Sequence, residues 1–267
     1  MKYLFIVFLL LLPVCGTYAE DTGAPDAGWL TEKGGGHIPM DATFVDEEGR
    51  PVQMKNILQR PAILALVYYH CFHICPQVLV GLSDAVSKLP LAPGKDYQII
   101  TLSFDENDRP SRAAEMKRNY MTAVGRPVPQ DAWRFLTGDR ENIEKITDAV
   151  GFRFQREPHG FVHPSALVIL GPDGKISRYY YVSKYHYGVA YPVTFSTTEL
   201  RRALVEASEG KTGVAIGTPL LFCFPHQPKE QDRFYSILST AGIATVVFSV
   251  ALFLYLALTS PKARKKE

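Results

Sequence analysis

Continuous apolar runs alternating with amphipathic stretches predict an α/β fold for the middle of this 267-residue chain, a mixed sheet with helices packed on its faces. Two runs, 62–69 and 97–104, have the unbroken apolar character of strands buried on both sides, and each is followed by a stretch with helical spacing. A third sign is Gly171-Pro172-Asp173-Gly174 between two further strand-like runs, which adds an antiparallel hairpin.

The elements follow in order. Glu48-Gly49 is a turn signal between 42–45 and 52–54, giving a first hairpin. Pro61 precedes the buried strand 62–69. Pro76 then opens a helix with Val78, Leu79, Leu82 and Val86 on one face. The second buried strand, 97–104, leads to a mostly polar helix over 111–124. A short strand at 133–136 comes next, and Asp139 caps a helix carrying Ile143, Ile146 and Val150. Strands at 166–170 and 176–182 flank the hairpin turn. Ser196-Thr197-Thr198-Glu199 is a capping box for a helix running to about Ala207. The order β-β-β-α-β-α-β-α-β-β-α is that of a thioredoxin-like mixed sheet with flanking helices.

Composition bounds the partners. The chain is 46% hydrophobic and 21% charged, the balance of a globular core, and its net charge is +2. Setting aside Lys2, the tail cations Lys262, Arg264, Lys265 and Lys266, and Glu267 leaves the middle slightly acidic, with no basic stripe for nucleic acid.

Both ends of the chain are membrane-related. Lys2, the apolar run 4–14 and Thr17-Tyr18-Ala19 read as a signal peptide over 1–19, cut after Ala19. Residues 237–258 carry no charge, and as a helix they span ~33 Å, enough for the hydrocarbon core. The basic tail 259–267 follows, which puts it in the cytoplasm by the positive-inside rule. The expected organisation is a flexible lead-in at 20–39, rich in Gly, Asp and Pro, a domain at 40–208 and a juxtamembrane linker at 209–236. The expected location is the inner (cytoplasmic) membrane, with the domain facing the periplasm or another extracytoplasmic space.

In that oxidising compartment, removal of Cys15 leaves an odd set of cysteines, Cys71, Cys75 and Cys223, which asks for a reason. Cys71 and Cys75 lie on the loop between a buried strand and the helix at Pro76. Because proline disfavours helical geometry in the residue before it, Cys75 is expected at the helix entrance rather than inside the helix. The helix dipole stabilises a thiolate there. Such a loop can close a structural disulfide, form a redox couple, or hold two thiolates around a soft metal ion, to which an imidazole adds a firmer site. Spacing alone does not choose among the seven histidines. Cys223-Phe224-Pro225-His226 offers a secondary soft-metal pair, Cys223 and His226, or a spare thiol.

Three segments in order resemble the Sco/SenC family of copper-binding, thioredoxin-like proteins. They are Tyr68-x-x-Cys71-x-x-x-Cys75-Pro76, the strand-end segment Thr101-Leu102-Ser103-Phe104-Asp105-Glu106-Asn107-Asp108, and His163-Pro164-Ser165-Ala166 through Gly171-Pro172-Asp173-Gly174-Lys175. The resemblance spans about 40–208. It implies a metallochaperone for the CuA centre of cytochrome c oxidase, with copper, Cu(I) or Cu(II), held by Cys71, Cys75 and His163. Asp105 and Asp108 then belong to the outer shell of the site, face a partner, or serve only the turn after the strand. The implied partners are the CuA subunit or another copper-dependent respiratory oxidase, and a copper donor or thiol reductant. The alternative reading is a thiol–disulfide oxidoreductase using Cys71 and Cys75. His70 and His73 in the same loop read as solvated side chains.

Overall fold

The computed structural model describes residues 29–182, 185–186, 189–190, 193–217 and 222–223, together with 245, 248–252 and 255–256. The chain divides into two units, Met1–Phe224 and Pro225–Glu267. The expected signal peptide at 1–19, His226 and the basic tail lie outside the described residues.

The first unit opens with a hairpin of β1 (Thr43–Val45) and β2 (Pro51–Gln53), followed by a single turn, α1 (Met54–Ile57). The central sheet has five strands. β3 (Ala62–Val67) lies in its middle and pairs in parallel with β4 (Gln98–Ser103), which pairs in parallel with β5 (Trp133–Leu136). On its other side β3 pairs antiparallel with β8 (Ala166–Leu170), and β8 with β9 (Ile176–Tyr181). Every residue of β3 and β4 is buried, as their unbroken apolar sequences require of strands covered on both faces.

The helices are α2 (Ile74–Lys88), α3 (Pro110–Ala123), α4 (Arg140–Ala149) and α5 (Thr197–Ser208). α2 packs against α3, α3 against β5, and α5 against β8 and β9. Asp139 caps α4 by accepting the Asn142 N–H at 2.8 Å. At α5 the capping box is half made. Ser196 Oγ accepts the Glu199 N–H at 3.3 Å, but the Ser196 N–H donates to the Tyr180 hydroxyl at 2.9 Å.

Four features depart from the sequence reading. α2 begins at Ile74, two residues before Pro76, so Cys75 lies inside the first turn. Proline is tolerated there because a first-turn N–H has no partner within the helix. A hairpin of β6 (Gln155–Glu157) and β7 (Gly160–Pro164) was not foreseen, since Pro158-His159 lacks the Asn-Gly signature of a two-residue turn. Residues 29–39, expected as part of a flexible lead-in, are bonded to the domain. Thr31 N–H donates to Gly151 at 2.9 Å, Gly35 N–H to Ile176 at 2.8 Å and Ile38 N–H to Gly174 at 3.0 Å. Residues 211–217, expected as linker, run beside β9, with Gly213 N–H donating to Ser177 at 3.0 Å and Ile216 N–H to Tyr179 at 2.8 Å. Short pieces β10 (Tyr185–His186), β11 (Val189–Ala190) and β12 (Phe222–Cys223) complete the unit.

In the second unit, residues 245, 248–252 and 255–256 are helical, and Phe248, Leu252, Tyr255 and Leu256 are exposed. Among the described residues no helix is long and apolar enough to cross a membrane. Most of the expected span 237–258 lies outside them.

Candidate metal centre

The thiol loop leaves the carboxyl end of β3, and the Asp105–Asp108 turn leaves the same end of the neighbouring β4. In open α/β sheets this is the edge where ligands bind. The base of the loop is clamped from two sides. Tyr69 N–H donates to Asp108 Oδ2 at 2.7 Å, while Arg112 Nε and Nη2 each donate to the Tyr69 carbonyl at 3.3 Å. The Asp108 carboxylate, fully buried, also accepts the Ser103 hydroxyl at 2.5 Å and lies 2.5 Å from His70 Nδ1. Asp108 thus ties the strand end to the loop just ahead of Cys71. Asp105 closes its own turn by accepting the Asn107 N–H at 2.9 Å and pairs with Arg156 at 2.5 Å, whose guanidinium stacks 4.4 Å above the Phe161 ring.

Cys71 and Cys75 are thiols, both buried. The His73 N–H donates to Cys71 Sγ at 3.4 Å. Cys75 sits in the first turn of α2, where unsatisfied amides favour negative charge on sulfur. His70 and His73 are exposed.

His163 is on β7 and only 1% exposed. Tyr68, Phe104 and Phe152 surround its ring, with centroids at 5.9, 5.0 and 6.0 Å. Burial pushes its pKa below the usual value, against the smaller opposing pulls of the Pro164 carbonyl and Cys71. The imidazole is therefore held neutral. Its Nδ1 lies 2.8 Å from the Pro164 carbonyl oxygen, which can only accept, so we assign the proton to Nδ1. That leaves a lone pair on Nε2, which is buried and has no hydrogen-bond partner among the described residues. A neutral imidazole whose Nδ1–H is held by a carbonyl and whose Nε2 lone pair is buried without a partner fits the requirements of a metal ligand.

Cys75 and His163 line one cavity of about 10 Å³ together with Ser165 and apolar side chains of β3 and α2. That is room for one water-sized object. Cys71 comes within electrostatic range of His163 from the loop side. Among the described residues, however, no three His, Cys, Asp or Glu side chains are gathered closely enough to hold an ion. The structure brings Cys75 and His163 to one cavity and leaves Cys71 to close on it. The donors suit a soft metal, two sulfurs and one neutral imidazole.

Cys223 falls directly opposite His163 in the antiparallel pairing of β12 with β7. Its expected companion His226 lies outside the described residues. Sequence reasoning missed Tyr120 on α3. Its hydroxyl pKa is raised first by burial and then by Cys75, with Arg112 opposing and Cys71 adding a smaller push. The aromatic walls around His163 were missed as well. Both depend on tertiary approach and left no local signal.

The fold and these side chains define a thioredoxin-like protein with a thiol pair set against a buried imidazole. The chain matches the SCO1/SenC family model over residues 31–191 and belongs to that family. The SCO1 protein homolog of Bacillus subtilis (strain 168) is 29% identical over 143 residues, 52% of this chain and 70% of that protein. A putative electron transfer protein from Aquifex aeolicus VF5 is similar at 30% identity and TM-score 0.56, over 67% of this chain and 95% of that one. Arabidopsis thaliana ScoI, solved with copper bound, is 19% identical at TM-score 0.49, over 66% of this chain and 98% of that one.

Proposed function

We propose that this chain is a membrane-anchored, extracytoplasmic copper metallochaperone for the CuA centre of cytochrome c oxidase. Cys71 and Cys75 bind copper as thiolates, and His163 Nε2 is the third ligand. The observation that carries this reading is the buried Nε2 lone pair without a partner, on the cavity it shares with Cys75. Copper is cargo, taken from a donor and passed to the CuA subunit or another copper-dependent respiratory oxidase. The uncharged run 237–258 with its basic tail supports an anchor, and exposed Phe248, Leu252, Tyr255 and Leu256 supply apolar surface for lipid.

A second reading is a thiol–disulfide oxidoreductase that reduces client cysteines, favoured by the place of Cys75 in the first turn of α2. The two readings part at His163. A copper site needs the imidazole, whereas a redox pair needs only its two sulfurs. His163→Ala is expected to weaken Cu(II) binding severely while the Cys71–Cys75 disulfide still forms and is reduced. If cells with His163→Ala assemble a copper-loaded oxidase normally and cells with Cys71→Ser do not, delivery by this site is wrong and thiol reduction takes its place.

A further inference from the structure

Beside His163 Nε2, Ser165 Oγ is the other atom on this cavity that is buried without a partner among the described residues. Its residue is 8% exposed, and among the described residues its side-chain oxygen has no hydrogen-bond partner. The absence is specific to that oxygen, because the backbone of Ser165 is held by the Val182 N–H, which donates to its carbonyl at 3.1 Å. His163 and Ser165 are two residues apart in sequence, and both line the cavity that Cys75 closes. A buried hydroxyl left unbonded is a cost that alanine in its place would avoid.

The three groups are chemically complementary. His163 Nε2 offers a lone pair only, the Cys75 sulfur as a thiolate accepts, and Ser165 carries the one hydroxyl among the described side chains that line the cavity. About 10 Å³ admits an ion or one water and no further side chain. Once an ion occupies the Nε2 lone pair and draws in the Cys75 sulfur, the acceptor left for the hydroxyl is that sulfur. Resting on the copper reading above, we propose that Ser165 is a positioning residue of the site, donating a hydrogen bond to the copper-bound Cys75 sulfur.

Such a bond withdraws electron density from the thiolate. It favours Cu(I) over Cu(II) and raises the energy of thiolate-to-copper charge transfer, since hydrogen bonding around a ligand sulfur tunes the metal it holds. The hydroxyl therefore acts against the metal-free protein and in favour of the loaded one.

The test uses the full chain in detergent, wild type beside Ser165→Ala, metal-free and loaded with copper. Ser165→Ala is expected to bind one copper per chain with its charge-transfer band moved to longer wavelength. Its Cu(II)/Cu(I) midpoint should be lower and its Cu(I) affinity reduced about tenfold. The metal-free variant should melt at the wild-type temperature or above it. A band and Cu(I) affinity identical to wild type overturn the proposal. So does equal destabilisation of the metal-free and copper-loaded forms, which would make the hydroxyl a structural group. Wild-type protein that binds no copper, or copper binding that survives Cys71→Ser with Cys75→Ser, sinks the copper reading itself and is recognised before the Ser165 comparison is made.

Discussion

Replacing Asp108 with alanine removes the acceptor that holds the thiol loop to the end of β4. The carboxylate takes the Tyr69 N–H at 2.7 Å and the Ser103 hydroxyl at 2.5 Å, both buried, and contacts the exposed His70 ring. Leaving a buried donor without an acceptor costs about 1–3 kcal/mol each, and the His70 contact, solvent-exposed on one side, adds about 0–1 kcal/mol. The sum is a loss of about 2–7 kcal/mol, a large share of the ~5–15 kcal/mol that holds a domain together. Asp108→Asn keeps one carbonyl oxygen in place and should lose about half as much. Urea unfolding should show a lower midpoint at unchanged slope. Alkylation of Cys71 in the folded protein should quicken, because the residue before His70 has lost its anchor. A loss under about 1 kcal/mol with unchanged alkylation would refute the clamp.

Two further outcomes test the scaffold. Alanine at Gly81 should gain about 1 kcal/mol of helix propensity, yet its Cβ would lie 2.3 Å from the Val193 carbonyl oxygen. The clash should win, with net destabilisation of about 1–3 kcal/mol in urea unfolding. Asp46 is buried, which pushes its pKa up, but the Arg50 N–H and the Arg50 and Arg134 guanidinium groups outweigh this and hold it below the usual value. Its stabilisation is complete above the unfolded pKa of about 3.9 and is lost as pH falls through the lower folded value. Urea midpoints taken between roughly pH 5 and 2 should fall less steeply for Asp46→Asn than for wild type.

The central sheet was legible because burial on both faces writes itself directly into composition. β3 and β4 are continuous apolar runs, and Asp139 marks the start of α4 by its own hydrogen bond. The start of α2 was placed two residues late because the bias of Pro76 on its neighbour yielded to the helix. Cys71 and Cys75 could be read from their loop. His163 could not, since seven histidines look alike until β7 folds one into an aromatic box, and only the family resemblance singled it out. The Asp108 tie, and the surroundings of Ser165 and Tyr120, depend on groups far away in the chain, which no local pattern records.

The outer edge of β9 is covered from both flanks of the domain. Gly35 and Gly36 bond Ile176 at one end, and Gly213 and Ile216 bond Ser177, Tyr179 and Tyr181 at the other. An uncovered edge strand is a template for another chain to add to, and β9 is a sticky one, with Tyr179, Tyr180 and Tyr181 in succession. A protein cut back to 40–208 would lose both covers and present that edge to its neighbours. To keep both covers a fragment has to begin no later than Gly35 and run at least to Ile216, and strand addition between copies is the failure to look for in anything shorter.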